Sequence, residues 1–452
     1  MSKEWTALPA LNLFVKQIKA AGTPDLSNTV FVCVQHLLES SIDLFQALIS
    51  IGANPHNIFL IGKHYSTCDN VYADLSNIGL QTQVLTPLSV LGQYDVLFKQ
   101  DITKMWEKVY QHTISRYVSA LVVLDDGGRC LESITKKFFD KVPVIGIEQT
   151  TAGLFNPQVL NLPVPFIDVA TCAAKKYLEA KIIVNEIIEK LVDKLPPINS
   201  SVSCGVIGVG IIGKVVVKKL LELGYEVLIY DKFPQEIQSL AKVKWCNSIS
   251  ELIAKADYVF GCTGRDISAE CNILKLVNKH KYFISCSSED KEFLSLLRLI
   301  QQNSNLNKWP YDPLEDICYR VSDNASIHIF QGGFPINFDR SGETAHPYDI
   351  QLTRCLLFGA LIQAISTLPK LQQFNINGRV MLHPLIQQFV VTNWVEKKIN
   401  IDDQMLNRFN EINWIKENSG GNFEPASYLP SIFQKTLGKI FRLGEAAATE
   451  AA

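Results

Sequence analysis

Three glycines at 208, 210 and 213 stand between an apolar run, Ser203 to Ile207, and an apolar-periodic stretch from Ile211 to Leu223. The order strand, G-x-G-x-x-G, helix is what a pyrophosphate needs. Gly208 permits the tight turn, Gly210 lets backbone approach the phosphates, and Gly213 lets helix and strand pack, while the first amides of the helix, at Ile211 and Ile212, face the negative charge. Asp231 ends the next apolar run about 20 residues on, where an acid accepts from both ribose hydroxyls and repels a 2'-phosphate. The expected ligand is a dinucleotide, NAD in preference to NADP. Thr263 and Gly264, at the end of a later strand on the same side, are expected to touch it, and Asn337 is assigned to the same site.

A second group of polar residues clusters at strand ends in the first half of the chain. "YSTCDN" carries Ser66, Thr67 and Asp69, "LDDGG" carries Asp126, and "EQTTAG" carries Gln149, Thr150 and Thr151. Lys175 and Glu179 follow at i, i+4. A lysine desolvated in a cleft could take a proton from a hydroxyl while carboxylates orient the substrate and tune the amine. Each feature also has a plainer use: a Lys–Glu pair on a surface helix contributes a few tenths of a kcal/mol, "DDGG" makes a turn, and His346 before Pro347 caps the helix that follows.

These residues need two scaffolds. The runs "TVFVCVQ", "NIFLIG", "ALVVLDDGG" and "VPVIGIEQTTAG" alternate with helical stretches and predict one α/β domain. "SCGVI", "KVKWC", "DYVFGCTG" and "KYFISC" predict a Rossmann-type doubly wound parallel sheet inserted in it. The expected bounds are 1–185 for the substrate domain, completed by 350–394, and 198–348 for the cofactor domain, with a linker at Pro196 and Pro197. A C-terminal helical extension and tail takes 395–452. A cleft between two such lobes is a common place for a substrate.

Composition narrows the class. The 452 residues carry a net charge of -2 and are 47% hydrophobic, which excludes a strongly basic nucleic-acid binder and leaves enough apolar material for two or three cores. Eleven cysteines stand singly with no CxxC pair, so neither a metal site nor a disulfide framework is expected. No signal peptide or charge-free span of 18 apolar residues is evident, and a cytoplasmic protein is expected.

Taken in order, "STCD", "LDDGG", E-x-T-T-x-G, the Lys175/Glu179 pair, the G-x-G-x-x-G-K turn, "DKFP" (Asp231 to Pro234) and "HP" at 346 resemble the S-adenosylhomocysteine hydrolase family over residues 30–390. The resemblance implies a hydrolase of one-carbon metabolism that uses bound NAD to oxidise a nucleoside's ribose 3'-hydroxyl transiently, then restores it. It places Asp126, Lys175 and Glu179 in catalysis and Thr150 and Thr151 against the nicotinamide. His36, Glu39, Ser66, Thr67, Asp69, Gln149 and His346 fall around the substrate, and the chain is expected to form a dimer or tetramer. Departures gather at the chemistry: Gln149 replaces an acid, Ala180 replaces an asparagine, and no histidine stands between His280 and His328. Two alternatives follow: a non-catalytic NAD- or nucleoside-binding relative with a regulatory role, and an NAD-dependent 2-hydroxy acid dehydrogenase. The latter needs an arginine, for which Arg265 is the candidate, and a histidine–acid pair that the cofactor half does not reveal.

Overall fold

The computed structural model describes residues 7–195, 202–233, 242–303 and 312–397. The linker prolines 196 and 197, Pro234, and all but the first three residues of the expected C-terminal extension lie outside them.

Strands β1 (Thr29–Gln35), β2 (Ile58–Gly62), β3 (Gln81–Thr82), β4 (Ala120–Asp125), β5 (Val144–Glu148) and β6 (Pro165–Asp168) form a parallel sheet in the order β6-β5-β4-β1-β2-β3. Its strands are continuous apolar runs rather than alternating ones because helices cover both faces; every residue of β1 is buried. A second sheet is built from β7 (Ser203–Ile207), β8 (Glu226–Tyr230), β9 (Lys244–Trp245), β10 (Tyr258–Gly261), β11 (Lys281–Ser285), β12 (Ile317–Ser322) and β13 (Ala325–Ile329), ordered β12-β13-β11-β10-β7-β8-β9. Among the described residues only β12 and β13 pair antiparallel. The last strand among the described residues, β14 (Gly378–Met381), returns to the first sheet and pairs parallel with β6. The fold is thus two α/β layers, the second a Rossmann-type doubly wound sheet inserted into the first.

Both sheets reverse their strand order once, between β1 and β4 and between β7 and β10. At such a point the connections leave to opposite faces and a crevice opens beyond the carboxyl ends of the strands. The two crevices hold the residues of interest.

The chain crosses between the sheets along Lys175–Leu191 and returns before the helix Pro347–Gln373. The outward crossing is not one regular helix: Lys175–Glu179 is a π-helical turn leading into the α-helix Ala180–Leu191. Single π turns inside helices often mark functional positions, since the extra residue re-aims the side chains around it. The 27-residue return helix has the length and apolar composition to cross a membrane, but 78% of its most apolar window is buried in the fold. It packs against the helices Pro9–Ala21, Glu39–Ser50 and Pro384–Lys397 as the core of the first domain.

Candidate functional site

The cofactor half begins at the crevice between β7 and β10. Gly208 has φ +88°, a conformation costly for any side chain, and a Cβ at Gly213 would lie 1.9 Å from the Gly208 carbonyl oxygen. Turn and helix therefore pack with no room for a methyl group. A Cβ at Gly210 would meet nothing within 4 Å. That open face, at the start of the helix Ile211–Glu222, is where a pyrophosphate would sit, so the turn fits the group its spacing predicts. Ile211 is partly exposed there and Ile212 packs on the core. Asp231 ties the next strand to the turn: Oδ2 accepts from the Val209 N–H at 2.6 Å and Oδ1 from Phe233 N–H at 2.8 Å.

Thr263 and Gly264 do not offer free amides. Both backbone N–H groups and the Thr263 hydroxyl donate to Glu292, at 2.6, 2.5 and 2.9 Å, and burial pushes that carboxyl up to about 7. Asn337 is likewise engaged, its Nδ2 donating to Glu186 Oε2 at 3.3 Å, with Thr344 on the same oxygen. Sequence spacing places these residues near a cofactor edge but cannot reveal that buried carboxylates already occupy their donors.

The other half lies beyond β1, β2 and β4, where Asp126 is the hub. It accepts from Lys63 Nζ at 2.5 Å and from the Gln149 side-chain amide, and lies 3.3 Å from His36 Nε2. Burial works against the Asp126 charge, but Lys63 outweighs it and holds the carboxyl well below the usual range. Gln149 in place of an acid has a local reason: a second carboxylate here would face Asp126, whereas the amide donates to Asp126 and accepts from Gln35 at 3.3 Å. Gln35 in turn accepts from Arg354 on the return helix at 3.2 Å, and Arg354 also donates to Ser40 and Ser41. His36 stacks on Phe338 at 4.0 Å and bonds Ser66 Oγ through Nδ1 at 2.6 Å; burial lowers its pKa to about 3, so the ring is neutral.

The π turn delivers Lys175 to the same cluster. Its Nζ donates to the Gln149 carbonyl at 2.7 Å and pairs with Glu179 at 3.1 Å, while Thr353 donates to the other Glu179 oxygen at 2.5 Å. Burial opposes the Lys175 charge, yet Glu179 prevails and the amine stays above its ordinary value. Lys175 is therefore an ammonium, not the poised base that its residue type suggested.

Other expected residues serve the frame. Thr150 caps the turn Thr151–Leu154 and donates to Glu148 at 2.7 Å, and Thr151 is exposed. Thr67 donates to the Lys63 carbonyl at 2.8 Å. Asp69 is exposed in the first turn of Asp69–Asn77, away from the cluster, and Glu39 is half-buried beside Gly342. His346 caps the return helix by accepting from Tyr348 N–H at 3.3 Å. The residues missed, Gln35, Lys63 and Arg354, each sit at a strand end or inside a helix with no local motif; a charged residue directly after the apolar run "IFLIG" was the one available signal, for Lys63.

The two halves meet. Beyond β11, the Glu289 backbone N–H donates to Tyr65 Oη at 3.3 Å, and its side chain lies 3.5 Å from Arg129, which follows β4. The carboxyl edges of both sheets therefore close on one cleft.

Residues 203–296 match the NAD binding domain of 6-phosphogluconate dehydrogenase. The second domain is an NAD-binding domain. Two uncharacterized proteins of Mycobacterium tuberculosis, from strains CDC 1551 and H37Rv, are each 26% identical over 354 residues, spanning 77% of this chain and 67% of theirs. Among solved structures, a 2-hydroxyacid dehydrogenase from Ketogulonicigenium vulgare is matched over 70% of this chain and 92% of its own at 8% identity and TM-score 0.36. A dehydrogenase from Rhizobium meliloti is matched over 38% of this chain and 62% of its own at 14% identity and TM-score 0.23.

The domain match overturns the resemblance to S-adenosylhomocysteine hydrolase, and with it the hydrolase activity, the nucleoside substrate and the place in one-carbon metabolism. The reason is physical. Short acidic and hydroxyl motifs at strand ends are what any doubly wound sheet collects at its crevice, and the glycine turn is common to dinucleotide folds.

Proposed function

We propose that the protein is an NAD-dependent dehydrogenase of a small 2-hydroxy acid held in the cleft between the two sheets. The observation that carries this reading is the histidine–acid pair His36–Asp126, standing at the strand reversal of one sheet and facing the domain whose own reversal bears the glycine turn. In this reading the pair comes from the first domain rather than from late in the cofactor half.

Gly208, Gly210, Gly213 and Asp231 would hold NAD, which when bound accepts a hydride from the carbon bearing the substrate hydroxyl. With Nε2–H turned to Asp126, His36 Nδ1 carries the lone pair, and Ser66 Oγ passes the hydroxyl proton to it. Asp126 orients the ring and stabilises the imidazolium that forms. Lys63 fixes Asp126 from the far side. Of the three cations gathered here, Lys63 and Arg354 are almost fully covered, while the Lys175 side chain retains 14% exposure; Lys175 is the one with room to meet the substrate carboxylate. Burial disfavours the imidazolium, and the Asp126 carboxylate is the group that offsets this when His36 takes up the proton.

The test is spectrophotometric. Purified protein with NAD and a panel of 2-hydroxy acids should form NADH at 340 nm, and His36→Asn should abolish this while leaving NAD binding intact. NAD binding with no NADH formed from any member of the panel at pH 6 to 9 would refute the reading.

A further inference from the structure

The loop after β11 holds a carboxylate that the chemistry above does not use. Glu289 has φ +67°, a left-handed backbone that is uncommon outside glycine, and its side chain is 1% exposed. One oxygen, Oε2, is committed: Lys291 Nζ lies 2.7 Å from it and Arg129 3.5 Å. The other, Oε1, is buried and has no hydrogen-bond partner among the described residues. A buried carboxylate oxygen left unsatisfied is costly, so a donor is missing.

Where that oxygen points narrows the donor. A Cβ placed at Gly127 would lie 3.3 Å from Glu289 Oε1 and 3.8 Å from Lys63 Nζ. The unpartnered oxygen therefore lies against Gly127, directly after Asp126 and beside Lys63, on the side of β4 that the cofactor domain covers. Its charge is already matched by Lys291, so a neutral donor suffices and a further cation is not required. We propose that Glu289 is a specificity-determining residue, delivered across the cleft by the cofactor domain, that accepts a hydrogen bond from a second hydroxyl of the substrate. This rests on the dehydrogenase reading and deepens it: the preferred substrate is a dihydroxy acid rather than a plain 2-hydroxy acid.

Three probes separate the possibilities by calorimetric titration into the full chain saturated with NAD: glycerate, lactate, which lacks the second hydroxyl, and 2-hydroxy-3-methoxypropanoate, whose ether oxygen cannot donate. A hydrogen bond to a charged group predicts that glycerate binds roughly 10- to 100-fold more tightly than either of the others. Glu289→Met should bring glycerate to within about threefold of lactate, with lactate itself unchanged. The methoxy probe needs no variant, so the proposal stays testable if that substitution unfolds the loop. Equal binding of all three probes to the wild type, or methoxy binding equal to glycerate, overturns the proposal. Glycerate preference without NADH formation would support the Glu289 assignment and overturn the dehydrogenase reading instead.

Discussion

Two glycines of the same turn should fail in opposite ways when each receives a methyl group. At Gly213 the new Cβ would sit 1.9 Å from the Gly208 carbonyl oxygen and 3.0 Å from its carbon, and real Cβ atoms essentially never come within 3.0 Å of such an atom. The clash is with backbone, so no rotamer relieves it, and helix and strand must separate by about 1 Å. Overpacking of this kind costs about 1–3 kcal/mol. For a domain of this size each kcal/mol lowers Tm by about 2–4 °C, so Gly213→Ala should melt about 4–8 °C early for a cost near 2 kcal/mol. At Gly210 the Cβ meets nothing, and φ is an ordinary -71°. Gly210→Ala should keep its Tm within about 1 °C, because surface changes away from packed features move stability little. Its methyl group occupies the phosphate space, and a loss of at least 1.4 kcal/mol makes NAD binding about tenfold weaker or worse. Differential scanning fluorimetry and titration calorimetry on both variants read the two effects separately. If Gly210→Ala binds NAD as tightly as the wild type, the glycine turn does not cradle the pyrophosphate. An unchanged Tm in Gly213→Ala would refute the packing argument.

Asp231→Ala should weaken NAD and narrow its advantage over NADP, measured as a ratio of dissociation constants; an unchanged ratio would remove Asp231 from the ribose. Lys175→Met should raise KM for a hydroxy acid at least tenfold and leave the pH profile in place, since the ammonium lies above its ordinary value and does not titrate near neutrality; a lost profile limb would make it a base after all. His36 should make the fold acid-labile. Burial holds its pKa at about 3, so between its ordinary value of 6.5 and about 3 the unfolded chain binds a proton that the folded chain refuses. The stability it contributes is complete above pH 6.5 and falls by about 1.4 kcal/mol per pH unit as acid is added through that window. Urea denaturation at several pH values should show this slope in the wild type and not in His36→Asn.

By itself the sequence determined the two α/β layers, the glycine turn with its acid and the polar strand ends, because all of these are written in local periodicity and spacing. "TVFVCVQ" is β1 residue for residue, and Gly208, Gly210, Gly213 and Asp231 occupy the positions their spacing demands. The charge state of the cluster was not legible, because it depends on what tertiary contact places around each group. Lys175 looks the same in sequence whether Glu179 or solvent is its neighbour, and Arg354 reaches Gln35 across 319 positions of chain only because the return helix packs across the first domain. His36 and Asp126 are 90 residues apart and become a pair because β1 and β4 lie side by side at a strand reversal. Glu289 lies in the stretch between His280 and His328 where the resemblance expected a histidine, and a sequence cannot say that one of its oxygens is buried and unmatched against Gly127. Local patterns fix which segments become strands and helices; desolvation and pairing of polar groups are properties of the packed interior, so the chemistry of this cleft was decided there.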